Sequence, residues 1–171
     1  MRFGIIGLCA ALTLGCAAKA APALPGELAV PAGAQEAVVV RHTDGDTVVL
    51  RGIGVGPLPA SPTKVRLLEI DTPEVRPEPE CYGEQSADRT AELLPKGSRV
   101  RVERDRQLTD RFGRTLLYVW TGAGASLQEV LLREGLATVL YVRPNDLHLV
   151  QLRQVEAGAR TARAGLWRDC R

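Results

Sequence analysis

Aromatic side chains are scarce: two Phe, two Trp and three Tyr make 4% of 171 residues. So few rings exclude stacking of bases on many aromatics as the main mode of any nucleic-acid binding. Histidine is rarer still, with only His42 and His148, which leaves a histidine-rich zinc site without ligands. No apolar run reaches the ~20 residues that a membrane-spanning helix needs, and no internal repeat is present. An excess of one charge is missing too. Of the 22 basic residues, Arg2 and Lys19 fall in the first 20 positions, where no acid stands, so the other 20 face 20 acidic residues. Beyond that leader the chain is formally neutral. Any phosphate binding must then come from local placement of arginines.

What is present suits one globular domain with a single core: 45% apolar and 25% charged residues. Residues 1–20, MRFGIIGLCAALTLGCAAKA, combine a positive Arg2, an apolar run from Phe3 to Gly15 and a small-residue cleavage site at Ala18-Lys19-Ala20. That pattern is a secretory signal peptide, so the chain is expected to be exported, periplasmic or extracellular. A lipoprotein signal is the competing reading, with Cys16 after Thr13-Leu14-Gly15 as the lipidated residue and the only route to a membrane. Residues 21–35, rich in Ala, Pro and Gly, read as a flexible linker, and residues 36–171 as the domain. Cys81 and Cys170 lie outside the leader, and two cysteines in an exported chain suggest one disulfide. Closing a loop of about 90 residues stabilises by roughly 4–5 kcal/mol on the chain-entropy model.

Within the domain, EAVVVRH and DTVVLRG are β-branched runs around the turn Thr43-Asp44-Gly45, a hairpin. Gly52 to Pro62 is a Gly/Pro loop, and Lys64 to Ile70 the next strand. Residues 84–94 are expected to be helical with Ala87, Ala91 and Leu94 on one face. SRVRVER alternates as a half-buried strand, followed by GRTLLYVW. Ser126 and Glu129 are placed to form a capping box for a helix that Gly135 ends. ATVLYV is a short strand. A last helix follows, capped by Asn145 or Asp146, with Leu149, Leu152, Val155 and Ala159 at helical spacing. Strands first and helices late make an α+β fold.

The chemistry concentrates in two acidic motifs. Asp44-Gly45-Asp46 sits on a tight turn, and Asp71-Thr72-Pro73-Glu74 closes the run VRLLEI. Carboxylates so close repel one another, which helps no core but suits a hard divalent cation such as calcium, held by carboxylates, a backbone oxygen and water. Arg66 and Arg114 supply the opposite sign, and guanidinium groups grip phosphate bidentately. A cation, two arginines and a spare carboxylate are the apparatus for attack on a phosphodiester.

The run DGDTV, VRLLEIDTPE, YGEQSA, TDRFGRTLLYV, LLREGLATVLYV and LW resembles the thermonuclease, or staphylococcal-nuclease-like, family over residues 36–168. The resemblance implies a five-stranded OB-fold barrel with three helices and a Ca²⁺-dependent phosphodiesterase, monomeric, that cleaves DNA and RNA to 3′-phosphates. Carried over by residue, Asp46 and Asp71 look like the calcium carboxylates, with the backbone oxygen of Thr72. Glu74 looks like the base that orients or deprotonates water. Arg66 and Arg114 look like the phosphate clamp, and Arg111 and Tyr141 like substrate-binding residues. Phe112 and Arg143 stand where the family pattern has tyrosines. The loop Gly52–Pro62 is longer than in that pattern and is expected near the site entrance, and the Cys81–Cys170 pair is an addition. Two other readings stay open: a non-catalytic OB-fold module that binds nucleic acid or envelope, and a phosphodiesterase for another substrate.

Overall fold

Residues 27–170 are described by a computed structural model, so the expected leader with Cys16 and residues 21–26 of the expected linker lie outside the described residues. Alternating buried and outward residues build β1 (Gln35–His42), and a run buried over its first four residues builds β2 (Thr47–Ile53); the two pair antiparallel across the Thr43-Asp44-Gly45 turn. The strand expected from Lys64 to Ile70 divides into β3 (Thr63–Leu67) and β4 (Ile70–Asp71). Glu69 breaks it, because its φ of 61° is left-handed and ends the extended run. After α1 (Gly83–Leu93), β5 (Arg99–Glu103) and β6 (Thr115–Trp120) complete a closed five-stranded barrel in the order β1-β2-β3-β6-β5. Then come α2 (Leu127–Arg133), β7 (Thr138–Val139), α3 (Leu149–Thr161) and the single turn α4 (Leu166–Asp169), with β7 paired to β4. Barrel and helices agree with the expected OB-fold, with α4 as an extra turn.

The core runs through the barrel and under α2 and α3: Val48, Leu50, Val65, Val102, Leu117, Trp120, Leu131 and Leu152 are fully buried. Burying each Leu contributes roughly 1.5–3 kcal/mol. Three local expectations change. Helix α1 buries Gly83, Ser86 and Thr90 with Leu94 beyond its end, rather than the Ala87 and Ala91 face. The reason is hydrogen bonding: Ser86 Oγ donates to the Leu136 carbonyl at 2.7 Å and Thr90 Oγ1 to the Gly45 carbonyl at 2.6 Å. At α2, Ser126 accepts from the Glu129 amide, but the Glu129 carboxylate completes no capping box. It takes hydrogen bonds from the Leu28 amide and from Gln151, both at 2.8 Å. At α3 the cap position is His148, because the Asn145 side chain is held by the backbone of Gln107 and the Asp146 carboxylate by Arg106.

The Glu129 bond bears on the expected linker. Leu28 is buried, and its carbonyl accepts from Trp120 Nε1 at 2.9 Å. Leu28 and Val30 therefore pack against the core, and the free tether expected over 21–35 does not extend through them. At the other end Cys81 and Cys170 are disulfide-bonded, with Cα atoms 5.8 Å apart across 89 residues of sequence. Tyr82 Oη donates to Asp169 beside it.

Candidate active site

The hairpin register places Thr47 opposite Arg66, so the residue before β2, Asp46, and the end of β3 meet at one rim of the barrel. The Leu67 amide donates to the Asp46 carbonyl at 2.8 Å and fixes that meeting. Gly45 makes it sterically feasible: a Cβ there would stand 2.7 Å from Thr72 Oγ1 and 2.9 Å from Thr72 Cβ. The acidic turn therefore packs on the acidic strand end, with the Thr90 hydroxyl of α1 clamping it from behind.

Arg66 lies between the two carboxylates. Its Nη1 is 2.9 Å from Asp46 Oδ2, and its Nη2 is 2.5 Å from Asp71 Oδ1. Nη1 also donates to the Ile70 carbonyl at 2.8 Å, so the guanidinium is held from three sides. Asp46 Oδ2 further accepts from the Thr72 amide at 3.1 Å. Asp46, Asp71 and Thr72 thus come together, and they do so around Arg66.

The charge is unbalanced here. Burial raises the pKa of Asp71, Arg66 pulls it down, and the charges of Asp46 and Glu80 push it up, leaving it above its usual value. Glu74, on the exposed turn after β4, is raised by partial burial and then by Asp46, Asp44, Asp71 and Glu80. Asp44 is raised by burial and by Asp46. Arg66 pairs with two of these acids, and the negative charge gathered around it disfavours ionisation of Asp44, Asp71 and Glu74.

Arg114 enters from the turn before β6 and lines the same cavity as Arg66, about 470 Å³ in volume. Asp110 holds it: Nε donates to Asp110 Oδ2 at 2.7 Å and the Arg114 amide to Oδ1 at 2.9 Å. Burial would raise Asp110, but these bonds, the Phe112 amide and the Arg114 charge bring its pKa below the ordinary value. The Nη groups of Arg114 stay available to a ligand. Phe112 is 68% exposed and lies between two cations, 4.7 Å from the Arg111 guanidinium and 5.5 Å from that of Arg114.

A family model described as staphylococcal nuclease homologue matches residues 64–169. The chain belongs to that family. It is 35% identical to the thermonuclease of Staphylococcus hyicus over 132 residues, 75% of this chain and 73% of the relative. It is equally identical to the thermonuclease of Staphylococcus intermedius over 133 residues, 76% of this chain and 74% of the relative. Endonuclease YncB of Bacillus subtilis is 37% identical over 132 residues, 74% of this chain and 59% of the relative.

Leu140, Val142 and Arg143, on either side of the half-buried Tyr141, line the cavity. One expectation for this staphylococcal nuclease homologue changes in the structure. The Gly52–Pro62 loop is not at the entrance. Leu50 faces Thr63, so the loop leaves the end of the hairpin away from Arg66, about 20 Å along the strands from Asp46. Gln35 anchors it there, exchanging bonds with the Leu58 amide and carbonyl at 2.8 and 2.9 Å.

Four residues of the site were missed from sequence. Gly45 and Thr90 bring the acidic turn into place. Asp110 aims Arg114, and its spacing of four residues in TDRFGR was the available signal. Glu80 holds the Glu74 turn, accepting from the Glu74 amide at 2.9 Å while its own amide donates to the Glu74 carbonyl at 2.8 Å. No pattern in the sequence marks that pair.

Proposed function

We propose that this staphylococcal nuclease homologue is an exported, calcium-dependent nuclease that hydrolyses phosphodiester bonds of DNA and RNA without discriminating the sugar. The nuclease class rests on the family and its thermonuclease and endonuclease relatives. The observation that carries the rest is the shared Arg66, bound to Asp46 and Asp71 at once and lining one cavity with Arg114. Export rests on the leader in residues 1–20.

Among the described residues no group of three His, Cys, Asp or Glu side chains could hold a metal by itself. The donors this chain offers are Asp46, Asp71 and the backbone oxygen of Thr72, an all-oxygen set that calcium completes with water. The surplus of carboxylates over arginines fits a divalent cation, since added positive charge relieves the repulsion that raises Asp71 and Glu74. Calcium, when bound, supplies charge that stabilises the phosphorane-like transition state.

The side chains perform the remaining steps. Arg66 and Arg114 bind the non-bridging oxygens and neutralise the charge that develops on them. Glu74 accepts a proton from the water whose oxygen bonds to phosphorus. The bond from phosphorus to the leaving oxygen breaks, and Arg114 stabilises the departing oxygen. Hydrolysis of single-stranded DNA in calcium, in chelator and by Glu74→Gln tests this. Activity should require calcium and fall steeply in the variant; equal rates in all three conditions would overturn the proposal.

A further inference from the structure

The four strands β5, β1, β2 and β3 carry five exposed cations on the face turned away from the barrel core, on which Val49 is buried. Register defines it row by row. Arg101 faces Glu36, which faces Ile53; Arg99 faces Val38, which faces Arg51. One step further, Arg41 faces Val49, which faces Lys64. A bulge between Val39 and Arg41 creates this last row. Were Val40 paired in regular register, Arg41 would face Val48 and continue the inward series of Ala37 and Val39, which are fully buried. The bulge turns it to solvent.

Five cations thus share the face with Glu36, which takes ion pairs from Arg99 and Arg101, both at 2.8 Å. The other acid on these strands, Glu103, is engaged by His148 at the far end of β5. Arg41, Arg51 and Lys64 are exposed, and none has an ion pair among the described residues. The domain as a whole is neutral beyond its leader, so this concentration is a matter of placement. The face is continuous with the site: on β3 Lys64 is one same-side step, about 6.6 Å, from Arg66.

We propose that this face is a track for the phosphodiester backbone of a single strand whose scissile phosphate lies at Arg66, running from Lys64 across Arg41 and Arg51 to Arg99. The proposal rests on the nuclease reading of the site and adds a substrate property, a preference for long strands over short ones. Charge complementarity and continuity with the cleft identify the occupant. No aromatic residue stands on β1, β2, β3 or β5, so the track offers bases no stacking platform and reads the backbone alone. Binding along it is independent of base sequence and strongly salt-dependent.

The test uses the full chain with Arg51→Glu/Arg99→Glu, both residues outside the catalytic set, and Arg51→Gln/Arg99→Gln as the milder pair. Thermal melting checks that each variant is folded. KM for a long single-stranded oligonucleotide should rise about tenfold or more in the reversed pair, with kcat unchanged and hydrolysis of a dinucleotide unaffected. The salt dependence of oligonucleotide binding should flatten by roughly one to two units in both pairs. An unchanged KM for the long strand overturns the track. So does binding to anionic phospholipid vesicles that the reversed pair loses while its oligonucleotide binding stays intact. If the unsubstituted chain cleaves neither the long strand nor the dinucleotide in calcium, the nuclease reading fails by itself. Anisotropy with labelled oligonucleotide still decides the track in that event.

Discussion

Arg66 Nη1 lies 2.9 Å from Asp46 Oδ2, and both side chains are more than nine-tenths buried. A pair so placed has two roles, since the arginine that grips phosphate also balances an acid that water barely reaches. Arg66→Ala should therefore fail twice. Activity falls by about 2–4 kcal/mol of transition-state stabilisation, and stability falls by roughly 3–5 kcal/mol because Asp46 is left uncompensated. Kinetics and urea unfolding on one preparation separate the two. A stable, inactive variant would show that the pair does not support the fold.

Arg114 should behave differently. Its side chain is 27% exposed and its partner Asp110 lies four residues away on the same turn. Arg114→Ala should cost about 2–4 kcal/mol in kcat/KM with little change in melting temperature. Asp110→Asn keeps the arginine but loosens its aim, and a smaller loss of about 1.5 kcal/mol is expected. A kcat for Asp110→Asn equal to that of the unsubstituted chain would remove Asp110 as a positioning residue.

Gly45 is a prediction about space. A methyl group there meets Thr72 Oγ1 at 2.7 Å, so Gly45→Ala must push the acidic turn off the strand end. Overpacking of this kind costs roughly 1–3 kcal/mol. Because the displaced turn carries Asp46, half-saturation for calcium should rise as stability falls. Gly45→Ala/Thr72→Ser, which removes one of the crowding methyls, should recover part of both.

The disulfide reaches from the segment before α1 to the end of α4. Cys81→Ser/Cys170→Ser should lower stability by roughly 4–5 kcal/mol on the entropy model while leaving kcat near its original value at low temperature. Denaturant unfolding measures the first and a rate at reduced temperature the second.

Glu69 gives a pH prediction. It is buried, neither carboxylate oxygen has a hydrogen-bond partner among the described residues, and burial first of all pushes its pKa to about 7. The charges of Asp105 and Asp146 push the same way. A folded pKa above the unfolded value near 4.5 means the folded state holds the proton longer. Its stabilisation is complete below pH 4.5 and is lost as pH rises through about 7, on the order of 3 kcal/mol in all. Unfolding followed from pH 4.5 to 8 without added calcium should show this decline relative to Glu69→Gln. Parallel curves would refute it.

How much was legible from sequence follows from what kind of signal each residue carries. The hairpin, β5, β6 and the ends of α2 were readable because alternation, a Ser cap and a terminating Gly are local. The face of α1 was not, because Ser86 and Thr90 are polar letters whose burial depends on carbonyls 50 and 45 residues away in the chain. Glu129 misled for the same reason: its carboxylate completes no local box and reaches Leu28 and Gln151.

By itself the amino-acid order determined which chemistry is available: two acidic motifs, their arginines, a neutral domain and one cysteine pair. Only the tertiary structure decided that Arg66 stands between Asp46 and Asp71, that Asp110 aims Arg114, and that scattered cations align on one face beside the cleft. The physical reason is range. Propensity and periodicity act over a few residues, whereas charge meets charge through strand register and barrel closure, which no local stretch contains.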